Sequence, residues 1–265
     1  MVMNDHRTPS NLGPLLDGQV ALITGAGQGV GEGIARALAA AGAAVVIAAR
    51  REANGGPAAQ AIAERGHSAL FVRCDVGVES DVHAAVAATI ERFGRLDIVV
   101  HNAVSPPGPP GPVETLEPET ITSQIATSTT AAFLLARAAH PHLAQHHGTM
   151  ILLTSPAGME GSGNLPVYAT VKGAQRGLLK SLAREWGPDG IRVNAIAPVA
   201  WTPAMDTATA NNPTLEARLR ARTPLGRIGD PETDIGPVAV FLASELSRHM
   251  TGQTMAVDGG RYLGL

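Results

Sequence analysis

A phenol and an ammonium stand four residues apart in Tyr168-Ala169-Thr170-Val171-Lys172, which on a helix puts both on one face about one turn apart. Such a pair can move a proton. A phenol with a reference pKa of about 10 is a poor base at neutral pH, and a neighbouring cation favours the phenolate and lowers that value. Ser155, at the end of an apolar run upstream, adds a hydroxyl that can reach the same substrate oxygen. Taken alone, the Tyr-Lys pair also fits a surface helix with one buried ring.

A second constellation binds rather than reacts. Thr24-Gly25-Ala26-Gly27-Gln28-Gly29-Val30-Gly31 follows the first apolar run and leads straight into a helical stretch. Glycine permits positive φ and close backbone approach, and the helix start directs unpaired N–H groups and its positive dipole end into the turn, which suits a pyrophosphate. Tight strand-to-helix packing selects glycine too, so the position in the first βα connection carries weight. At the end of the second strand, where a free ribose 2′-hydroxyl usually meets Asp or Glu, the chain has Arg50 and Arg51. Two guanidinium forks suit a phosphate dianion, so NADP(H) is the preferred cofactor and NAD(H) the alternative; the pair also reads as a solvated couple flanking Glu52.

These residues must be positioned by something, and the apolar runs supply it. Val20 to Thr24, Ala44 to Ala49, Ala69 to Cys74, Asp97 to His101, Thr149 to Thr154, Ile191 to Ala197 and Thr254 to Val257 read as seven strands. Their nearly continuous apolar character indicates strands covered on both faces, hence a parallel sheet. Between them lie amphipathic stretches: Gly31 to Ala41, Glu52 to Arg65, Glu79 to Phe93, Glu117 to His146, Tyr168 to Trp186 and Pro231 to Ser244. Alternation of this kind gives right-handed βαβ units and a doubly wound α/β domain of the Rossmann type, a seven-stranded parallel sheet with helices on both faces. One domain over residues 18–265 is expected, after a flexible N-terminal tail at 1–17. Ser105 to Pro112 and Val199 to Pro224 interrupt the alternation just past strand ends, where open α/β sheets place ligands, and both are expected to wall the pocket.

Composition narrows the partners. With 45% hydrophobic residues the 265-residue chain can build a core, and a net charge of −3 with 3% aromatics is a poor footprint for nucleic acid. The longest uncharged apolar run, Leu38 to Ala49, is too short to cross a bilayer, so no membrane partner is expected. The single cysteine, Cys74, needs no oxidising compartment, and a cytoplasmic location fits. His140, His142, His146 and His147 have spacings that superficially suggest a metal; solvation near a helix C-terminus, which favours a cation, accounts for them, and no metal is expected.

Together the motifs resemble the short-chain dehydrogenase/reductase family over about Leu15 to Val257. The resemblance rests on Thr24-Gly25-x-x-x-Gly29-x-Gly31, Asp75-Val76, His101-Asn102-Ala103-Val104, Ser155, Tyr168-x-x-x-Lys172 and Arg192-Val193-Asn194-Ala195-Ile196-Ala197-Pro198. It implies hydride transfer between a nicotinamide and a carbonyl or alcohol by a homo-oligomer, a tetramer or dimer. Tyr168 then protonates the developing alkoxide or deprotonates the alcohol, and Ser155 hydrogen-bonds the same oxygen. Lys172 lowers the Tyr168 pKa and bonds the nicotinamide ribose. Asp75 is expected to accept from the adenine amino group, with Val76 beside the ring; Thr24, Gly25, Gln28, Gly29, Val30, Gly31, Asn102, Ala103, Val104, Pro198, Val199 and Thr202 complete the cofactor cleft, Thr202 at the carboxamide.

Three departures mark this chain. His101 stands where the family usually has the first Asn of Asn-Asn-Ala-Gly, and Val104 stands at the Gly, narrowing the space near the nicotinamide. Ser128 falls at the position of a family Asn that supports a water linked to the active lysine. Pro198-Val199 replaces Pro-Gly. The expected substrate is a small molecule, small or medium in size and mainly apolar, beside Ser155, Pro156, Met159, Leu165, Trp201 and Met205. Glu160 is the one charged neighbour, and Trp201 either packs in a lid or touches substrate. Ser128 and Val104 also motivate a competing reading, a nucleotide-binding scaffold or sensor with weak or lost turnover; a scaffold, however, has no physical need for the Ser155, Tyr168 and Lys172 trio.

Overall fold

Apolar runs without polar alternation form strands here because both of their faces are covered. A computed structural model describes residues 14–105, 110–212 and 214–263. The strands are β1 (Val20–Thr24), β2 (Ala44–Ala49), β3 (Ala69–Arg73), β4 (Ile98–His101), β5 (Thr149–Leu153), β6 (Arg192–Pro198) and β7 (Thr254–Val257). They make one seven-stranded parallel sheet in the order β3-β2-β1-β4-β5-β6-β7. Register aligns Val46, Leu22, Val99, Met150 and Val193 in one row and Ile47, Ile23, Val100 and Ile151 in the next. The first row faces one apolar layer with Leu135, Leu179 and Trp186, and the second faces another with Ile34, Leu38 and Leu242.

The helices are α1 (Gly29–Ala40), α2 (Glu52–Glu64), α3 (Glu79–Phe93), α4 (Pro118–Gln124), α5 (Ala131–Gln145), α6 (Ala157–Glu160), α7 (Pro166–Glu185), α8 (Pro203–Asn211), α9 (Leu215–Ala221) and α10 (Gly236–Ala243). Strand order reverses between β1 and β4. The two chain directions diverge there and leave a crevice at the carboxyl ends of the strands, where ligands of open α/β sheets bind.

Four sequence expectations need correction. The flexible tail does not reach residue 17: Leu16 is fully buried and its N–H donates to Ala41 O at 2.9 Å. Residues 1–13 of that expectation lie outside the described residues, as do residues 106–109 of the proline-rich connector and 264–265 at the end of the expected domain. The stretch Glu117 to His146 is not one α-helix, because a π-helical segment (Ile125–Thr130) separates α4 from α5. The final helix is likewise preceded by a π turn, Pro231–Ile235. Most of the segment 199–224 is helical, in α8 and α9, rather than irregular.

Candidate active site

The glycine turn is shaped by its neighbours. Gly25 has φ +66°, and a Cβ on Gly31 would lie 2.4 Å from Asn102 Nδ2, so neither position accommodates a side chain as built. Asn102 Nδ2 donates to Thr24 O at 3.1 Å and Gly25 O at 3.0 Å, while Thr24 Oγ1 accepts from Asn102 N and Ala103 N, both at 3.2 Å. Thr24 is 1% exposed. Through these contacts the side chains of Thr24 and Asn102 brace the turn against β4. Gln28 precedes α1 without capping it, and its side chain instead accepts from Asn54 at 2.8 Å. The first N–H groups of α1, from Gly29, Val30 and Gly31, therefore face the turn without a side-chain acceptor.

Around that turn the rest of a nucleotide cleft assembles. Arg50 and Arg51 are exposed at the end of β2 and pair with no carboxylate among the described residues. Asp75 accepts from Gly77 N at 3.0 Å through Oδ1, closing its own turn, which leaves Oδ2 as the atom available to a ligand; Val76 beside it is buried. Thr202 faces the turn, with its methyl 3.4 Å from where a Gly29 Cβ would stand. Pro198 ends β6, Val199 N donates to Val257 O at 3.0 Å, and Val104 is 38% exposed at the opposite lip. The cradle of unblocked N–H groups fits the pyrophosphate of a dinucleotide.

Ser155, Tyr168 and Lys172 meet at the end of β5 and the first turns of α7. The Ser155 hydroxyl lies near enough to the Tyr168 phenol to favour its ionised form, and Lys172 Nζ lies 5.7 Å from the centre of the Tyr168 ring. Thr154 Oγ1 donates to Lys172 O at 3.0 Å, tying the strand end to the helix. Burial pushes the Tyr168 phenol above its usual range, and the neighbouring Ser155 hydroxyl opposes this. Lys172, 3% exposed, is drawn down to about 7 by desolvation, and its Nζ donates to Leu153 O at 2.5 Å and to Gln175 Oε1 at 3.2 Å. The expected lowering of the phenol by Lys172 is thus corrected: the ammonium is turned to the interior carbonyls, and burial governs the phenol.

Met159, Leu165, Trp201 and Met205 are half-buried, and Glu160 is exposed. Pro156, immediately before α6, is buried. Trp201 Nε1 donates to Asp206 Oδ1 at 2.6 Å, leaving the ring's apolar faces. A depression of about 380 Å3 lined by Gly18, Gly42, His67 and Arg95 lies at the opposite, amino-terminal edge of the strands and touches none of these groups.

Ser128 sits in the π segment, fully buried, and its hydroxyl has no hydrogen-bond partner among the described residues. Its carbonyl accepts from His101 Nε2 at 3.1 Å and Gln175 Nε2 at 3.3 Å. Burial and the nearby Lys172 charge lower His101 to about 4, so the ring is neutral; the Ser128 carbonyl partner opposes this. Sequence reasoning missed Gln175, although a readable signal existed: one amide on a buried helix stripe whose other members are Lys172 and the apolar Val171, Leu178, Leu179, Leu182 and Ala183. At the far end of α5, His140 Nε2 meets Asp189 Oδ2 at 3.0 Å and its ring is 5.0 Å from that of Trp186.

Known proteins share this architecture throughout the chain. A family model described as Enoyl-(Acyl carrier protein) reductase matches residues 25–261. L-fucose dehydrogenase of Oryctolagus cuniculus is 39% identical over 251 residues, covering 93% of this chain and 86% of that one. The 12alpha-hydroxysteroid dehydrogenase of Clostridium sp. is 35% identical, over 93% of this chain and 97% of its own. The solved structure of 3-ketoacyl-(acyl-carrier-protein) reductase from Brucella melitensis complexed with NADH superposes with a TM-score of 0.86 at 35% identity, over 94% and 100% of the two chains. The chain belongs to the short-chain dehydrogenase/reductase family and is an oxidoreductase of alcohol and carbonyl groups.

Proposed function

We propose that the protein is an NADP(H)-dependent oxidoreductase acting between a carbonyl and a secondary alcohol on a small or medium, mainly apolar molecule. The convergence of the Ser155 hydroxyl and the Tyr168 phenol, with Lys172 Nζ 5.7 Å from the centre of the phenol ring, is the observation that carries this reading. In reduction Tyr168 gives its proton to the substrate oxygen as charge grows there, and Ser155 donates a hydrogen bond to the same atom. In oxidation the phenol oxygen takes the alcohol proton. Burial keeps the phenol protonated through neutral pH, the state a proton donor requires, so the resting site suits carbonyl reduction.

The nicotinamide, when bound, supplies or accepts the hydride. The N–H groups of Gly29, Val30 and Gly31 would hold its pyrophosphate, and Arg50 with Arg51 the 2′-phosphate. Asp75 Oδ2 would meet the adenine amino group, Lys172 the nicotinamide ribose and Thr202 the carboxamide. Half-buried Met159, Leu165 and Met205, with the indole N–H of Trp201 already bonded to Asp206, support the apolar substrate class. Exposed apolar side chains on one helical face, Ile125 and Phe133 (56% exposed), support assembly into a dimer or tetramer. The buried, unpaired Cys74 is compatible with a cytoplasmic location.

The test mixes purified protein with NADPH or NADH and a panel of ketones and aldehydes and follows cofactor absorbance. Turnover with NADPH that collapses in Tyr168→Phe supports the reading; turnover that survives the substitution removes Tyr168 from the chemistry.

A further inference from the structure

The Lys172 ammonium is buried without a carboxylate partner among the described residues. Gln175 and Tyr168 approach it from its own helix, the Leu153 carbonyl from β5, the neutral His101 from β4 and Ser128 from the π segment. Gln175 is 1% exposed, and its amide reaches in two directions: Oε1 is 3.2 Å from Lys172 Nζ and Nε2 is 3.3 Å from Ser128 O. An ammonium only donates and a carbonyl only accepts, so the orientation of that amide is fixed from both ends.

The Ser128 carbonyl is itself held. It also accepts from His101 Nε2, which makes His101 the Nε2–H tautomer, with Nδ1 accepting from Thr24 Oγ1 at 3.2 Å. A continuous line of bonds therefore runs from the glycine turn through β4 and the π segment to the lysine. A buried amide on an apolar stripe is costly unless both of its ends are bonded, and Gln175 meets that condition only through Ser128 and Lys172.

We propose that Gln175 is a positioning residue of the reaction, its side-chain amide clamping the Lys172 ammonium to the Ser128 carbonyl. Leu153 O and Gln175 Oε1 take two of the three ammonium protons, which leaves one for a further partner. The functional consequence rests on the reading of Lys172 given above; the clamp itself does not.

Lys172 and Lys180 are the only lysines of the chain, so protein grown with 13Cε-labelled lysine gives two signals, which Lys180→Arg assigns. Gln175→Met keeps length and burial and deletes the carbonyl oxygen. The Lys172 titration midpoint is expected to fall by about one pH unit, the ordinary worth of one hydrogen bond to an ammonium. On a carbonyl substrate kcat falls about tenfold while KM stays within about twofold. Gln175→Glu reverses the sign, a carboxylate facing the ammonium raising the midpoint. A midpoint unmoved in either folded variant overturns the clamp, and the Glu variant decides alone if the Met variant does not fold. Wild-type protein without turnover on any carbonyl would count against the proposed function, while the titration would still read Gln175.

Discussion

Thr24→Val keeps the shape of the side chain and deletes one hydroxyl on which three groups converge. Asn102 N and Ala103 N each lose an acceptor at 3.2 Å, and His101 Nδ1 loses its donor. An unsatisfied backbone N–H costs about 1–3 kcal/mol; Asn102 and Ala103 are half-buried, so water recovers part of this and the low end applies. Including the histidine bond, the loss should be about 3 kcal/mol, or a fall in Tm of roughly 6–12 °C for a chain of this size. Urea unfolding at constant slope measures the difference, and Thr24→Ser, which keeps the hydroxyl and removes a methyl, should cost only about 1 kcal/mol. The braced turn also presents the α1 N–H groups, so NADPH affinity should drop about tenfold with the Val variant and little with Ser. If Val and Ser variants unfold together, the hydroxyl is not the brace and the account of the turn fails.

Tyr168→Phe should lower kcat by about 10²–10⁴ while NADPH binding stays near wild type, measured by steady-state kinetics and fluorescence titration; comparable loss of both would show a collapsed site instead. Arg50→Ala should weaken NADPH by about tenfold to a hundredfold and leave NADH within about twofold, and equal losses would defeat the 2′-phosphate assignment. His101 gives a pH signature. Its folded pKa of about 4 lies below the ordinary histidine value of 6.5, so the unfolded chain takes up the proton first and stability falls as pH drops from 6.5 through about 4. At about 1.4 kcal/mol per unit the loss is roughly 3 kcal/mol, and His101→Asn should flatten that stretch of the urea-midpoint profile. An identical profile in the variant would assign the acid loss to other groups.

Strands were legible because parallel strands covered on both faces must be apolar at every position, and each of the seven appears within a residue of its expected ends. The Ser155, Tyr168 and Lys172 trio and the glycine turn were legible for a related reason: their spacing is local. What escaped depends on contacts far apart in sequence. The π segment at Ser128 adds a residue to one turn without altering hydrophobic periodicity much, so Glu117 to His146 reads as one helix. Leu16 looks like tail until Ala41 closes over it. Thr24 and Asn102 carry the residue types of a ligand site, yet the bonds to β4 that occupy them link positions 78 apart. Gln175 was overlooked because its two partners, Ser128 and Lys172, come from different elements.

The anchoring of Leu16 beside the α1 carboxyl end has a practical corollary. A tether attached at Pro14 itself would depart from the amino-terminal edge of the sheet, remote from the reaction crevice. Protein immobilised through that end should present its mouth to solution, so a support-bound catalyst should retain access for cofactor and substrate without a redesigned linker.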